Sequence, residues 1–155
     1  MQLPVVNHPD YVAKINDDNK FPIKKFGALA NHLIENKVVK KFYIPEECSI
    51  ETMKTSHSLE YINDIKNKTL DLQSQKKIGF PINDSVVRRS FVATGGTVLA
   101  SKLAQDSQLA CNTAGGSHHG TFNFGAGYCV FNDVAVAANY LKNKGYAKKI
   151  LILDL

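Results

Sequence analysis

The chain has 155 residues, of which 44% are hydrophobic and 21% charged, a composition that argues against a disordered protein. No stretch approaches the ~18 consecutive apolar residues that indicate a membrane span. The N-terminus lacks a basic region followed by a long apolar one, so we expect a cytoplasmic or nuclear protein. The three cysteines are scattered and form no Cys-x-x-Cys pair, which favours a reducing compartment over a disulfide framework.

The formal net charge is +5, from 19 basic and 14 acidic residues. The basic residues occur as separated pairs along the chain, whereas a nucleic-acid-binding protein gathers them on one face or in one arm. We therefore interpret them as solvated surface. Nucleic-acid binding is the weakest of the functional hypotheses.

The first half of the chain alternates short apolar runs with helical patterns. The elements predicted there are a strand over 4–7, a helix over 24–36, a strand over 41–44 and a helix over 58–66 capped by Ser58. A longer helix follows, capped by Asp84 and running to about Gln105. It contains the pair Gly95-Gly96, which predicts either close contact with another backbone or a break in the helix.

The second half predicts a βαβ unit. Its parts are a buried strand over 109–113, a glycine-rich loop over 114–128, a helix capped by Asn132 or Asp133, and the apolar run 150–153. A continuous apolar run is typical of a central parallel strand covered on both faces. The alternation predicts an α/β fold with a mostly parallel sheet and helices on both faces. Ligands of such folds bind beyond the carboxyl ends of the strands.

Two groups with catalytic potential lie at that edge. His118 and His119 follow the strand 109–113, and imidazole titrates near neutral pH, so the pair suits acid–base chemistry or metal binding. Two surface histidines on a flexible loop are the plain alternative. Asp154 ends the last apolar run, either as a helix cap or as a carboxylate that pairs with an imidazole. A second glycine-rich stretch, 125–128, could form the wall of a narrow pocket.

Several sequence blocks occur together in a fixed order. They are Phe21-Pro22-Ile23-Lys24-Lys25-Phe26, Ser56-His57-Ser58-Leu59-Glu60-Tyr61, Thr94-Gly95-Gly96-Thr97, Asn112-Thr113-Ala114-Gly115-Gly116-Ser117-His118-His119, Gly127-Tyr128-Cys129-Val130-Phe131-Asn132-Asp133 and Ile150-Leu151-Ile152-Leu153-Asp154. In this order they closely resemble the histone deacetylase superfamily, and most closely its class IV branch and the bacterial relatives of that branch. The resemblance runs from end to end, so residues 1–155 are interpreted as the N-terminal portion of one such domain.

The resemblance implies an arginase/deacetylase fold, a catalytic zinc and hydrolysis of acyl-lysine, in a protein or as an acylated small amine. His119 matches the general base and acid of the family, and His118 matches the neighbouring histidine that helps to position water. Asp154 matches the aspartate that pairs with His118 and contributes to a monovalent cation site. Gly127 and Tyr128 match the wall of the tunnel that holds the acyl-lysine.

The resemblance also predicts what residues 1–155 lack. The zinc ligands of the family are an aspartate and a histidine of an Asp-x-Asp-x-His stretch and a later aspartate. Asp154 matches the first aspartate of that stretch, which does not bind zinc, and none of the five histidines matches a zinc ligand. We therefore expect a truncation after a central strand, and a chain that is inactive alone and poorly stable.

Two further readings stay open. The chain is either part of a deacetylase or a non-enzymatic binding module that pairs with a complementary C-terminal half. Separately, Cys129 could be a nucleophile, with His118 or His119 as its base and Asn132 as the orienting group. A cysteine among aromatic and branched residues is more often buried and inert.

Overall fold

A small parallel sheet brings together three distant parts of the chain. The computed structural model describes residues 3–154, in which strand β1 (Val5–Val6) pairs in parallel with strand β2 (Cys111–Asn112). Val5 lies opposite Cys111 in this ladder. On its other side, β1 forms a single parallel bridge from Val6 to Tyr43. The predicted strand 4–7 is thus confirmed, and the predicted strand 41–44 is reduced to one bridging residue.

The other regular elements of the described residues are helices. They are a 3-10 helix (Pro9–Tyr11) and the α-helices α1 (Lys25–Glu35), α2 (Ile50–Met53), α3 (Leu59–Asn67), α4 (Leu72–Ile78), α5 (Asp84–Ser107) and α6 (Asp133–Asn143). Ser58 caps α3 as predicted, because its hydroxyl accepts a hydrogen bond from the backbone N–H of Tyr61. The cap of α5 is Asn83 and not Asp84, because the side chain of Asn83 accepts a hydrogen bond from the backbone N–H of Val86. The carboxylate of Asp84 pairs with Lys68 instead.

Helix α5 is the centre of the packing. It contacts both strands, the 3-10 helix and, most extensively, α6. It runs unbroken through Gly95 and Gly96, so the predicted close contact is confirmed and the predicted break is wrong. A Cβ atom on Gly95 would overlap the carbonyl oxygen of Glu46, and one on Gly96 would overlap the hydroxyl of Tyr11. The two glycines therefore let neighbouring segments lie directly against the helix.

The predicted strands of the second half need correction. Residues 150–154 form no strand, and Leu151 is 90% exposed and Leu153 75% exposed, so the prediction of a central strand covered on both faces is wrong for residues 3–154. In the run 109–113 only Cys111 and Asn112 pair, and Leu109 is 70% exposed rather than buried. An apolar sequence favours burial, but a strand also needs a neighbour to accept and donate its backbone hydrogen bonds. Within the described residues, the segment 109–113 has such a neighbour only in β1, and the segment 150–154 has none.

No helix within residues 3–154 combines the length and the apolar character needed to cross a bilayer.

The close contact at Gly95 gives a stability test. We expect Gly95→Ala to lower the free energy of unfolding by about 1–3 kcal/mol, because the added methyl group meets a backbone oxygen that cannot turn away. Urea unfolding followed by circular dichroism measures the change.

Gly27→Ala is the matched control for that test. Gly27 also lies in a helix, but its nearest neighbour is a methyl group of Val12 at 3.2 Å from the added Cβ. Alanine is favoured over glycine in helices by about 1 kcal/mol, so this variant should be close to neutral or slightly more stable. An equal decrease in the free energy of unfolding of Gly95→Ala and Gly27→Ala would show that the contact with Glu46 is not the cause.

Candidate active site

A buried carboxylate anchors the loop that carries the histidines. Asp133, at the first position of α6, is 2% exposed. It accepts hydrogen bonds from the backbone N–H of Gly116 at 3.1 Å and of Ser117 at 2.7 Å, and from the hydroxyl of Thr97. Bonds from several donors satisfy a charge that would otherwise be costly to bury. The glycine-rich turn just before His118 is thereby fixed to α5 and α6.

The polar network continues beneath this turn. The side chain of Asn112 donates to the hydroxyl of Thr97 at 2.9 Å and to the carbonyl of Ala93 at 3.2 Å. Its oxygen accepts a hydrogen bond from the hydroxyl of Tyr11 at 2.9 Å. Burial raises the pKa of Tyr11, and the nearby negative charge of Asp133 adds to this effect. The tyrosine therefore stays a hydrogen-bond donor at physiological pH.

Arg89 places a buried positive charge near the same network. Its Nε donates to the carbonyl of Tyr11 at 3.0 Å, and its guanidinium carbon lies 4.9 Å from the centre of the Phe26 ring. Burial lowers the pKa of Arg89 to about 10, and the charge of Asp133 works against this lowering. Arg89 remains charged at neutral pH and balances part of the buried negative charge.

A second anchor comes from the residues before α3. His57 is 1% exposed, its Nδ1 lies 2.7 Å from the carbonyl oxygen of Thr121, and its Nε2 accepts a hydrogen bond from the backbone N–H of Asn132 at 2.9 Å. The next residue, Ser58, donates its backbone N–H to the carbonyl of Phe122 at 2.7 Å. Both ends of the segment 121–132 are thus held by residues 57 and 58.

The side chain of Asn132 connects this anchor to the histidines. Its Nδ2 donates to the carbonyl of His118 at 3.2 Å and to that of Gly120 at 3.1 Å, while its oxygen caps α6 by accepting from the N–H of Ala135. The backbone on both sides of His119 is therefore held in place. Both N–H groups of the Asn132 amide donate to backbone carbonyls and its oxygen caps α6, so this side chain is already engaged and does not orient an imidazole.

The three predicted site side chains lie together. Nε2 of His118 is 3.6 Å from a carboxylate oxygen of Asp154, and Nδ1 of the same ring lies 3.1 Å from the carbonyl of Gly116. The rings of His118 and His119 are 4.2 Å apart between centroids. The side chain of His118 is 46% exposed and that of Asp154 70% exposed. A histidine pair and a carboxylate thus share one solvent-accessible surface, an arrangement suited to moving protons.

Gly127 and Tyr128 lie beside this group. Gly127 has a φ of +53°, and a Cβ at that position would be 2.9 Å from Cδ2 of His119, so only glycine lets the loop approach the ring this closely. The backbone N–H groups of Gly127 and Tyr128 donate to the carbonyls of Lys77 and Ile78 at the end of α4. The half-buried ring of Tyr128 packs against Phe21 and Phe80, with centroid distances of 5.0 and 5.4 Å.

The geometry disfavours Cys129 as a nucleophile. Cys129 is buried, and burial raises the pKa of its thiol, although hydrogen bonds from the N–H of His119 and the hydroxyl of Ser117 partly offset this. A thiol that resists deprotonation is a poor nucleophile. The side chain of Asn132 is already hydrogen-bonded to the backbone of His118, Gly120 and Ala135. It therefore does not serve as the orienting group of a Cys–His–Asn set.

The described residues do not form a metal site by themselves. Between residues 3 and 154, no three side chains of His, Cys, Asp or Glu converge in a way that could hold a metal ion. The donor set therefore does not fit a catalytic zinc, which needs three protein ligands.

A comparison with protein families identifies the chain's relatives. A model described as histone deacetylase domain matches residues 20–155. The chain belongs to this family. An uncharacterised protein of Picosynechococcus is 40% identical over 157 residues, covering 100% of this chain and 52% of that protein. Histone deacetylase 2 of Arabidopsis thaliana is 26% identical over 151 residues, covering 87% of this chain and 37% of its own length.

Solved structures confirm the predicted arginase/deacetylase-type α/β fold. A crystal structure of an HDAC homolog complexed with SAHA has a TM-score of 0.75 at 20% identity, covering 94% of this chain and 42% of that one. An HDAC homolog from Aquifex aeolicus gives a TM-score of 0.73 at 21% identity over the same shares. The chain spans about half the length of the Picosynechococcus relative, and less of the other proteins.

The sequence of this deacetylase-family chain predicts the histidine pair and Asp154 as site residues, but not the contacts that hold them. In the sequence, His57 is only part of a matching block, and Asp133 is only a possible helix cap. Neither role can be found from spacing, because His57 lies 64 residues from Thr121 and 75 from Asn132. The signal that was available is chemical: Asn132 and Asp133 follow a buried apolar run directly, where polar side chains need partners.

The buried imidazole of His57 gives a pH test. Burial lowers the pKa of His57, so the folded protein binds this proton less readily than the unfolded chain, in which histidine titrates near about 6.5. The stability that depends on neutral His57 is therefore fully present above about pH 6.5 and is lost as the pH falls towards the lowered pKa. We expect the stability difference between wild type and His57→Gln, measured by urea unfolding, to shrink over that range.

A stability difference that stays constant as the pH falls would contradict this assignment. Glutamine does not titrate, so the other ionisable groups contribute equally to both proteins and cancel in the comparison.

Thiol labelling tests the inertness of Cys129. Burial also raises the pKa of Cys48, to about 12, whereas Cys111 is exposed. We expect iodoacetamide at neutral pH to modify Cys111 first and the two buried cysteines much more slowly, as followed by peptide mass spectrometry. Fast, selective modification of Cys129 would instead restore the nucleophile hypothesis.

Proposed function

We propose that residues 1–155 are the N-terminal portion of a single deacetylase-type domain and supply the proton-transferring half of its active site. The reaction is hydrolysis of the amide bond of an acyl-lysine, in a protein or as an acylated small amine. The observation that carries the proposal is the contact of His118 with both His119 and Asp154 on one accessible surface. The match of the family over residues 20–155 supports it.

His119 is the proposed general base and acid. Hydrolysis requires one group that takes a proton from the attacking water and returns it to the leaving amine, and imidazole does this near neutral pH. The loop at Gly127 lies close to the ring of His119, since a Cβ there would be 2.9 Å from Cδ2, and Asn132 holds the peptide groups on both sides of His119. A fixed ring keeps the transferring nitrogen at one position throughout the reaction.

His118 and Asp154 act together in this proposal. The carboxylate faces Nε2 of His118, and the carbonyl of Gly116 faces its Nδ1, so the ring has an oxygen acceptor on each side. Such acceptors orient an imidazole and let it stabilise negative charge that develops nearby. The monovalent cation expected near Asp154 stays a prediction.

Gly127 and Tyr128 are the proposed wall of the acyl-lysine site. The aromatic ring offers a face against which the lysine methylenes can pack. Its packing against Phe21 and Phe80 limits the positions that the ring can take. The polypeptide at 125–128 thus borders the place where the scissile amide would meet His119.

Zinc is the implied cofactor, and it would polarise the amide carbonyl and provide a nucleophilic water. Residues 3–154 do not furnish its ligands, so we propose that a complementary C-terminal half supplies them. The exposed apolar residues Leu109, Leu151 and Leu153 support docking of such a half, because large exposed apolar surfaces mark interaction sites. The compartment that we propose is the cytoplasm, or the nucleus in a eukaryote.

The alternative is a non-enzymatic binding module that pairs with the same kind of half. The observation in its favour is the lack of a metal-binding cluster within residues 3–154. The two functions differ in the metal content of the assembly: the enzyme should hold about one zinc per pair, and the module none.

Activity measurements test the proposed function. Residues 1–155 alone should hydrolyse a fluorogenic acetyl-lysine peptide no faster than His119→Ala. The partner half can be taken from the Picosynechococcus relative, as the part that follows the region aligned with this chain. With this half and zinc present, we expect turnover that falls by about 10²–10⁴ in His119→Ala, since general acid–base catalysis contributes that much.

His32→Ala is the control for that measurement, because His32 is an exposed histidine on α1. It should keep the turnover of the wild-type pair. Turnover by residues 1–155 alone, well above that of His119→Ala, would contradict the expectation that the chain is inactive without the zinc-binding residues of a C-terminal half. A zinc-loaded pair whose turnover survives His119→Ala would refute the role of His119.

A further inference from the structure

The residues around the histidine pair contain one buried imidazole that the proposed reaction does not use. We propose that His57 is a positioning residue that holds the backbone of His118 and Gly120 through Asn132. The inference rests on the proposed function, because it assigns His57 to the support of the acid–base histidine.

The two nitrogens of His57 have opposite partners. The carbonyl oxygen of Thr121, at 2.7 Å from Nδ1, can only accept a hydrogen bond, so Nδ1 carries the proton. The backbone N–H of Asn132, at 2.9 Å from Nε2, can only donate, so Nε2 offers its lone pair. A single neutral tautomer satisfies both contacts.

The chain of contacts then leads to the histidine pair. His57 binds the backbone N–H of Asn132. The side chain of Asn132 in turn donates to the carbonyls of His118 and Gly120. A displacement of the Asn132 backbone would therefore move the groups that fix the peptides on each side of His119. Within residues 3–154, the side chain of His57 makes no hydrogen bond to His118 or His119, so it acts through Asn132 and is not catalytic.

Packing keeps the ring of His57 in place. It lies against Phe131, with centroids 5.2 Å apart, and near Tyr61 at 6.0 Å. Other buried residues could fill this volume, since phenylalanine has a similar shape. Only a side chain with an acceptor at the position of Nε2 can bind the N–H of Asn132, and this requirement separates positioning from simple space filling.

Two amide variants separate the two hydrogen bonds of His57. The oxygen of glutamine reaches the position of Nε2, so His57→Gln can keep the bond to Asn132 and lose that to Thr121. Asparagine reaches only the position of Nδ1, so His57→Asn can keep the bond to Thr121 and lose that to Asn132. The two variants have similar polarity, and His32→Gln controls for the loss of a histidine at an exposed position.

The first measurement is the NMR spectrum of the full chain, which requires neither zinc nor substrate. We expect His57→Asn to shift the backbone amide signals of His118, Gly120 and Asn132 and the imidazole signals of the histidine pair. His57→Gln should stay close to wild type at these positions, and His32→Gln should leave them unchanged. The second measurement is turnover by the zinc-loaded pair with the C-terminal half, where His57→Asn should lower kcat by about ten- to a hundredfold with little change in KM.

Equal spectra of His57→Asn and wild type at His118 and Gly120, in a folded protein, would overturn the proposal. Equal perturbation by His57→Asn and His57→Gln would also overturn it, because the bond to Asn132 would then not matter. If His57→Asn does not fold, His57→Phe replaces it, since it keeps the ring packing and neither hydrogen bond. Absence of turnover in the wild-type pair would count against the proposed function alone, because the spectra still test His57.

Discussion

The buried carboxylate of Asp133 is the interaction on which the candidate site depends. It lies at the start of α6, where backbone N–H groups favour negative charge, and it accepts hydrogen bonds from Gly116, Ser117 and Thr97. A glycine-rich turn has few side chains with which to pack and would be mobile without such bonds. One charged group therefore fixes a flexible sequence as the support of His118, and it connects this support to α5 and α6.

The sequence predicted those parts of the structure that local physics determines. Helices over 24–36, 58–66 and 84–105 follow from apolar periodicity and caps, and they agree with α1, α3 and α5. The sequence singles out the histidine pair and Asp154, and the structure places these three side chains close together. Contacts such as His57 with Asn132 could not be predicted, because they depend on how distant segments pack and leave no trace in spacing.

The wrong predictions have a common physical cause. The run 150–153 is as apolar as any central strand, yet it is exposed and unpaired in the described chain. Hydrophobicity tells which residues avoid water, whereas strand formation also requires a neighbouring backbone with free donors and acceptors. The same limit explains why only two residues of 109–113 are in the sheet.

The contact between His118 and Asp154 joins two segments that are held very differently. His118 belongs to a loop fixed by Asp133 and Asn132, whereas Asp154 follows an exposed segment that no ladder restrains. In the proposed assembly, a C-terminal half that covers 150–153 would also restrain the carboxylate of Asp154 against the imidazole of His118. The proton-transferring geometry would then depend on docking of that half.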